Sequence, residues 1–358
     1  MKLSFVLPYN AITGGIRAIF EYASHFQLIG HETTIYIPFI PFHYGDRVLS
    51  LKWIDRMMRG TIRSALRRSK VSWMRVRAPI RIVPTISARF IGDADVIFAT
   101  SWPTAYSVAS LPARKGIPIY FIFHYESDDG PEELVSGSYH QINNRVAISK
   151  MSAEAVTLHS GCQVHYIVKL GIDPNTFSPP ENLNREPSLL VYLHRGPRKG
   201  GRAAIEIIEA LRKLRPNVPI SAFGHWPDRS SLPRGIDFFS KLDDGALADL
   251  YRRHSMFLYP SDHEGFGLPP LEAMASGCAI VATRTGAIPD YCEHGTSGII
   301  HEPGDIQGLL NSILRLCDSP EERVSLARNA TIVARTQFTW ETAVQEFAAY
   351  LETTLFSM

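Results

Sequence analysis

Cysteine is scarce in this chain: four occur in 358 residues, Cys162, Cys278, Cys292 and Cys317. No two stand in a Cys-x-x-Cys spacing, so neither a zinc site nor a disulfide framework is indicated. Long hydrophobic runs are also missing. None reaches the roughly 20 residues that span a bilayer. The opening Met1-Lys2-Leu3-Ser4-Phe5-Val6-Leu7 reads as a short buried strand and lacks the length and cleavage site of a secretory signal. A cytoplasmic location is expected. Nor is there a large excess of one charge, since the formal net charge is +2. There is no GxGxxG fingerprint, which disfavours a nicotinamide dehydrogenase. Internal repeats and low-complexity tracts are absent. What remains is an ordinary globular composition, 45% apolar and 20% charged, in a chain long enough for two domains.

One stretch is poor in acids. Between Asp46 and Arg81 the only carboxylates are Asp46 and Asp55. Lys52, Arg56, Arg59, Arg63, Arg67 and Lys70 recur every three or four residues, and Leu51, Ile54, Met58, Ile62 and Ala65 form a separate apolar stripe. A basic amphipathic helix suits an anionic membrane surface, so residues 47–81 are a candidate for peripheral contact with the inner face of a membrane. A solvated helix packed on its own domain explains the pattern equally well, and Gly60 weakens a long helix. No nucleic-acid-binding motif is present, so nucleic acid is not an expected partner.

Elsewhere apolar runs alternate with helical periodicity. Leu3–Leu7 leads through Thr13-Gly14-Gly15 into a helix with Ile16, Ile19, Phe20, Ala23 and Phe26 on one face, and Thr33–Ile37 is the next strand. By itself Gly14-Gly15 is a plain tight turn. Ile117–Phe123 is a strong strand that delivers His124 just past its carboxyl end; a histidine there is more often structural than functional. The turn-rich Gly171–Pro180 reads as a crossing between domains. A second series begins at Leu189–Leu193. It runs into His194-Arg195-Gly196-Pro197-Arg198-Lys199-Gly200-Gly201-Arg202 before a helix from Ala203. Arginine and lysine at a strand-to-helix turn can clamp a diphosphate. The alternation predicts an α/β chain of two doubly wound domains: residues 1–170, completed by a C-terminal helix over 340–358, and residues 171–339.

The densest signal lies at 256–277. Met256–Pro260 reads as a buried strand. It is followed by Ser261-Asp262-His263-Glu264-Gly265-Phe266-Gly267-Leu268-Pro269-Pro270-Leu271-Glu272-Ala273-Met274-Ala275-Ser276-Gly277. The prolines can open a helix, and Gly277 can close it in a left-handed conformation. Glu272 is expected in the first helical turn, and the free amides at the helix start are expected to favour an anion such as phosphate. Glu264 is expected on the loop at the strand's carboxyl end. Carboxylates suit hydroxyl recognition because, when ionised, they only accept hydrogen bonds. The plain alternatives are dipole stabilisation for Glu272 and a solvated loop acid for Glu264.

This stretch resembles the E-x7-E motif of glycosyltransferase family 4. The similarity continues through Pro289, Gly295, Gly298 and Pro303-Gly304-Asp305. Arg195 with Lys199-Gly200 is similar to that family's diphosphate clamp, and Gly14-Gly15 to its N-terminal glycine loop. Gly30-His31-Glu32 and Gly171-Ile172-Asp173 with Phe177 and Pro179 resemble two further family segments. The resemblance implies a GT-B fold, with two Rossmann-like domains facing a cleft, transfer with retention at the anomeric carbon, and no essential metal or other cofactor. It implies catalytic roles for Glu264, Arg195, Lys199 and His124. It implies donor contacts from Gly14, Gly15, Gly265, Phe266, Gly267, Leu268 and Glu272, the last on the ribose hydroxyls. Arg195 and Lys199 are one residue closer than the family spacing, which leaves Arg198 as an alternative clamp. Leu170 replaces a customary asparagine.

The resulting expectation is a glycosyltransferase that moves a sugar from a nucleotide-diphosphate donor to a hydroxyl on a glycan or lipid-linked acceptor, in cell-surface glycan or polysaccharide synthesis. The rival readings are a GT-B sugar-nucleotide epimerase and a non-catalytic sugar-nucleotide-binding protein.

Overall fold

Lys2–Val6 (β1) is buried at four of its five positions, so it must lie inside a sheet covered on both faces. In the computed structural model, which describes residues 1–9, 13–40, 42, 76–126, 130–196 and 198–356, the chain divides into two compact units. The first comprises Met1–Lys169 with Ala343–Met358, and the second Leu170–Thr342.

In the first unit β1 is followed by α1 (Gly14–Leu28), β2 (Glu32–Pro38), β3 (Ile80–Val83), β4 (Val96–Ala99), α2 (Trp102–Ala109), β5 (Ile117–Ile122), α3 (Glu132–Tyr139), β6 (Asn144–Ala147), α4 (Lys150–Ser160) and β7 (Tyr166–Ile167). The strands form one parallel sheet in the order β3-β2-β1-β4-β5-β6-β7. Its core is aromatic: Phe5 stacks on Phe98 with centroids 4.6 Å apart. The final helix, α11 (Trp340–Phe356), completes this core. Its Phe347 ring lies 5.8 Å from Phe98 and 5.7 Å from both Phe121 and Tyr22.

The second unit runs β8 (Leu189–His194), α5 (Gly201–Leu214), β9 (Ile220–His225), β10 (Asp237–Phe239), α6 (Asp244–Arg252), β11 (Met256–Tyr259), α7 (Leu268–Ala275), β12 (Ala279–Thr283), α8 (Ile288–Tyr291), β13 (Ile299–His301), α9 (Ile306–Asp318) and α10 (Pro320–Gln337). Its parallel order is β10-β9-β8-β11-β12-β13. The strands are short apolar runs buried on both faces, with Leu189, Val191, Leu193, Leu258 and Val281 against Ile207, Leu211, Ile313 and Leu316 of α5 and α9. In both units the strand order reverses beside the first strand, between β1 and β4 and between β8 and β11. Loops at the carboxyl ends of those pairs diverge and leave room for a ligand.

Several expectations need correction. Gly14 and Gly15 are not a turn. They are the first two residues of α1, behind Thr13, whose side chain accepts the Ile16 amide at 3.3 Å. Thr13 is an N-cap, and the cap signal outweighs the turn tendency of paired glycines. The strand β3 falls at the end of the stretch read as basic and helical, so Arg81 belongs to a sheet edge. Helix α3 was not foreseen, because its Glu132-Glu133 start lacks a Ser, Thr, Asp or Asn cap. Residues 43–75, the bulk of the basic segment, lie outside the described residues, and so does the membrane contact expected there. Among the described residues no helix is long and apolar enough to cross a membrane.

Candidate active site

The second unit assembles its candidate residues at the reversal between β8 and β11. These strands pair in register, Leu189 with Met256, Leu190 with Phe257 and Val191 with Leu258. The loops that leave them must therefore emerge side by side. One is the Arg195–Gly200 loop before α5, and the other is Pro260–Gly267 before α7. Their contact is close enough to require glycine: Gly200 has φ +65°, and a Cβ there would lie 1.7 Å from the Pro260 carbonyl oxygen. The amides of Asp262 and His263 both donate to the Arg198 carbonyl at 3.0 Å. That binds one loop to the other through backbone alone.

Across this seam Lys199 meets Glu264, 65 residues later in sequence. The ammonium donates to Glu264 Oε2 at 2.8 Å and to the His263 carbonyl at 3.3 Å. The other carboxylate oxygen accepts two hydroxyls, Tyr259 at 2.7 Å and Ser261 at 2.7 Å. Ser261 has only one proton. The Arg198 and His263 carbonyls, at 3.2 and 3.3 Å, are poorer acceptors than the carboxylate, so the proton goes to Glu264. Tyr259 is fully buried, and that burial, reinforced by Glu264, pushes its phenol well above the usual tyrosine range. It stays a donor.

Glu272 is not in the first turn of α7. The helix starts at Leu268, which puts Glu272 one turn further in, where it is 5% exposed and accepts the Tyr251 hydroxyl at 3.2 Å. Gly267, at φ +90°, precedes the helix, and its carbonyl accepts the Tyr291 hydroxyl at 2.6 Å. Phe266 is buried against the Tyr291 ring, while Gly265 and Leu268 are half-buried. The helix closes as its sequence indicates. Gly277 has φ +80°, its amide donates to Met274 and the Cys278 amide to Ala273, the paired bonds of a Schellman ending.

The anion-binding potential of the two helix starts is unequal. Pro269 and Pro270 have no N–H, so of the first three residues of α7 only Leu268 offers an amide. Helix α5 begins Gly201-Arg202-Ala203, all with amides, and no side chain caps it. Of the two, α5 is the better anion site. The loop that leads into it carries Arg195, Arg198 and Lys199, after His194 at the end of β8. Both arginines are exposed, and Lys199 is half-buried. Burial, then His225 and Lys199, lowers the pKa of His194, whose Nδ1 accepts the Gly196 amide at 2.9 Å. The neutral ring thus keeps its proton on Nε2.

In the first unit the structure brings together Gly15 and the segment after β5. A Cβ on Gly15 would stand 3.3 Å from the Phe123 ring, next to half-buried His124; Gly14 has open space beside it. Glu126, only 9% exposed, fastens that segment by accepting the Trp102 amide at 2.7 Å and the Tyr120 hydroxyl at 2.9 Å. Glu126, Tyr259 and Ser261 were not singled out from sequence. Tyr259 and Ser261 flank Pro260 at a strand end, a position that could have drawn attention. Gly286 lies in the turn between β12 and α8. At φ +56°, it packs so closely behind the motif that a Cβ would be 3.0 Å from the Glu264 Cβ and the Gly265 backbone. All four cysteines are free, and burial pushes the Cys278 and Cys292 thiols up to about 12. Among the described residues no group of three or more His, Cys, Asp or Glu is arranged to hold a metal ion.

The two parallel Rossmann-like units have the GT-B fold. Residues 174–333, somewhat less than half of the chain, match the family model described as glycosyl transferases group 1. The chain is 32% identical to the MMP alpha-(1->4)-mannosyltransferase of Mycolicibacterium hassiacum over 59% of its own length and 54% of the relative's. It is 24% identical to the glycogen synthase of Mycobacterium tuberculosis over 84% of its length and 75% of that protein's. It thus spans about half the length of the mannosyltransferase. Anabaena HepE, solved in complex with UDP-glucose, superposes with a TM-score of 0.73 at 16% identity, covering 99% of this chain and all of that one.

Proposed function

We propose that the protein is a retaining glycosyltransferase, transferring a sugar from a nucleotide-diphosphate donor to a hydroxyl acceptor in cell-surface glycan or polysaccharide synthesis. The observation that carries the reading is the Lys199–Glu264 pair, held at 2.8 Å beside the uncapped start of α5. The group 1 match and the mannosyltransferase and glycogen synthase relatives support it.

In such a transfer the bond between the anomeric carbon and the phosphate oxygen breaks, and the nucleoside diphosphate leaves with the electron pair. The acceptor oxygen bonds to the anomeric carbon on the same face, and its proton passes to the departing phosphate. The negative charge that develops is what Lys199, Arg195 or Arg198 and the α5 amides are suited to stabilise. Glu264 is suited to the sugar hydroxyls, and Glu272 to the ribose hydroxyls. Gly265, Phe266, Gly267 and Leu268 supply close backbone, and the proposed contributions of the first unit are Gly14, Gly15 and His124. The donor needs no metal in this scheme, because fixed cations and amides carry the charge. Peripheral contact with an anionic membrane through residues 47–81 would suit a lipid-linked acceptor.

The test is a panel of nucleotide sugars with candidate acceptors, reading nucleoside diphosphate release and the anomeric configuration of the product by NMR. Release from one donor, enhanced by an acceptor and lost in folded Glu264→Ala and Lys199→Ala variants, is expected. Full activity in those variants refutes the assignment. Isomerisation without acceptor would instead identify an epimerase, and binding without turnover a binding protein.

A further inference from the structure

Lys199 and Glu264 pair with each other across the two loops. Three of the roughly four lone-pair positions on the carboxylate are filled, two on Oε1 by Tyr259 and Ser261 and one on Oε2 by Lys199. The two partners are anchored unequally. The Glu264 side chain is 11% exposed and pinned by two hydroxyls, whereas Lys199 is 32% exposed on a flexible four-carbon stem. When a diphosphate competes for the ammonium, it is the lysine that moves.

A sugar nucleotide compensates both partners. Its diphosphate pairs with the ammonium, and its sugar hydroxyls can donate to the Oε2 that Lys199 vacates. A nucleoside diphosphate compensates only the lysine. It leaves Glu264 without its counter-ion and next to added negative charge. We propose that the Lys199–Glu264 ion pair discriminates between substrate and product, weakening the nucleoside diphosphate relative to the sugar nucleotide and so driving product release. This rests on the donor reading above. It gives Glu264 a second role, as the group that reclaims Lys199 once the sugar has gone.

The test is titration calorimetry on the full chain with UDP, GDP and ADP and the corresponding glucose and mannose conjugates. In Glu264→Gln the diphosphate that binds wild type should tighten by about three- to tenfold, the scale of a half-exposed charge-assisted contact. Its sugar conjugate should not tighten. In a Lys199→Met background the gain should fall below about twofold, because the carboxylate then has no lysine to withhold and acts on the diphosphate only by direct, solvent-screened repulsion. Should Glu264→Gln fail to fold, Glu264→Asp takes its place. Its shorter reach breaks the 2.8 Å contact, and a smaller tightening in the same direction is expected. Unchanged or weaker diphosphate binding in the folded variant overturns the inference and leaves the donor reading intact, since wild type still binds. Persistence of the full gain without Lys199 also overturns it. If wild type binds none of the nucleotides, the donor reading fails and takes the inference with it.

Discussion

Gly200→Ala should disable the site through the backbone, without touching a charged group. The residue has φ +65°, a conformation that costs alanine roughly 1–2 kcal/mol. The added methyl would also lie 1.7 Å from the Pro260 carbonyl oxygen. Reaching even 3.0 Å requires the two loops to part by about 1.3 Å, and such overpacking costs about 1–3 kcal/mol. Together these give roughly 2–5 kcal/mol, a fall in thermal midpoint of roughly 5–15 °C for the unit concerned. The same separation carries the Lys199 backbone away from Glu264, whose contact is 2.8 Å. Nucleotide binding should weaken about tenfold even at temperatures where the variant is folded. Differential scanning calorimetry and a binding titration read the two effects. Gly14→Ala is the control. It sits at the start of α1 with nothing within 4 Å of the added carbon, so stability should hold or rise by about 0.5 kcal/mol. A Gly200→Ala midpoint within about 1 °C of wild type, with unchanged binding, would refute the seam as the element that brings the loops together.

Two further outcomes follow from the same unit. The clamp arginine is identified by comparing Arg195→Ala with Arg198→Ala: the one that holds diphosphate should lose about tenfold or more in affinity and the other less than threefold, and equal small effects would mean that neither clamps. His254 is buried with Nδ1 against the Leu250 carbonyl at 2.8 Å and Nε2 against the Ser221 hydroxyl at 3.0 Å, and burial is the first cause of its lowered pKa. A depressed folded value means that its contribution is complete above about pH 6.5 and is lost as pH falls below that toward the folded value. Urea midpoints should therefore decline on acidification from about pH 6.5, and His254→Gln should flatten that decline; an unchanged slope would assign it to other groups.

Much of the architecture was legible because its causes are local. Short buried runs such as Leu189–Leu193 and Met256–Tyr259 can only be interior strands of a parallel sheet, and the helical spacing from Ile16 to Phe26 is unambiguous. The α7 helix could be bounded because proline and glycine act through their own dihedral angles, at Pro269-Pro270 and at Gly277. Glu272 falls just past the first turn because the helix begins at Leu268, one residue ahead of the prolines that open it in the sequence reading. The strand β3 was hidden by a basic, helix-like pattern before it. Its alternation over Ile80–Val83 is too short to compete. The Thr13 cap was overlooked in favour of the glycines after it.

The contacts inside the site were not legible, for a physical reason. Nothing in the spacing of Lys199 and Glu264 says that they touch, since 65 residues and five strands and helices of chain separate them. Their meeting is decided by which strand pairs with β8. If β12 lay next to β8, the Arg195–Gly200 loop would face Arg284–Ala287 instead, and Glu264 would have no lysine. The β8–β11 pairing is selected by the whole sheet: β11 and β12 are both fully buried strands, and β11 takes the central place with Met256, Phe257 and Leu258 matched to Leu189, Leu190 and Val191. Gly200 then makes the match productive by allowing the two loops to close. The motif glutamate and the clamp lysine are each recognisable alone, but their ion pair is a property of strand order. It is therefore vulnerable to changes, such as one at Gly200, that alter no charge.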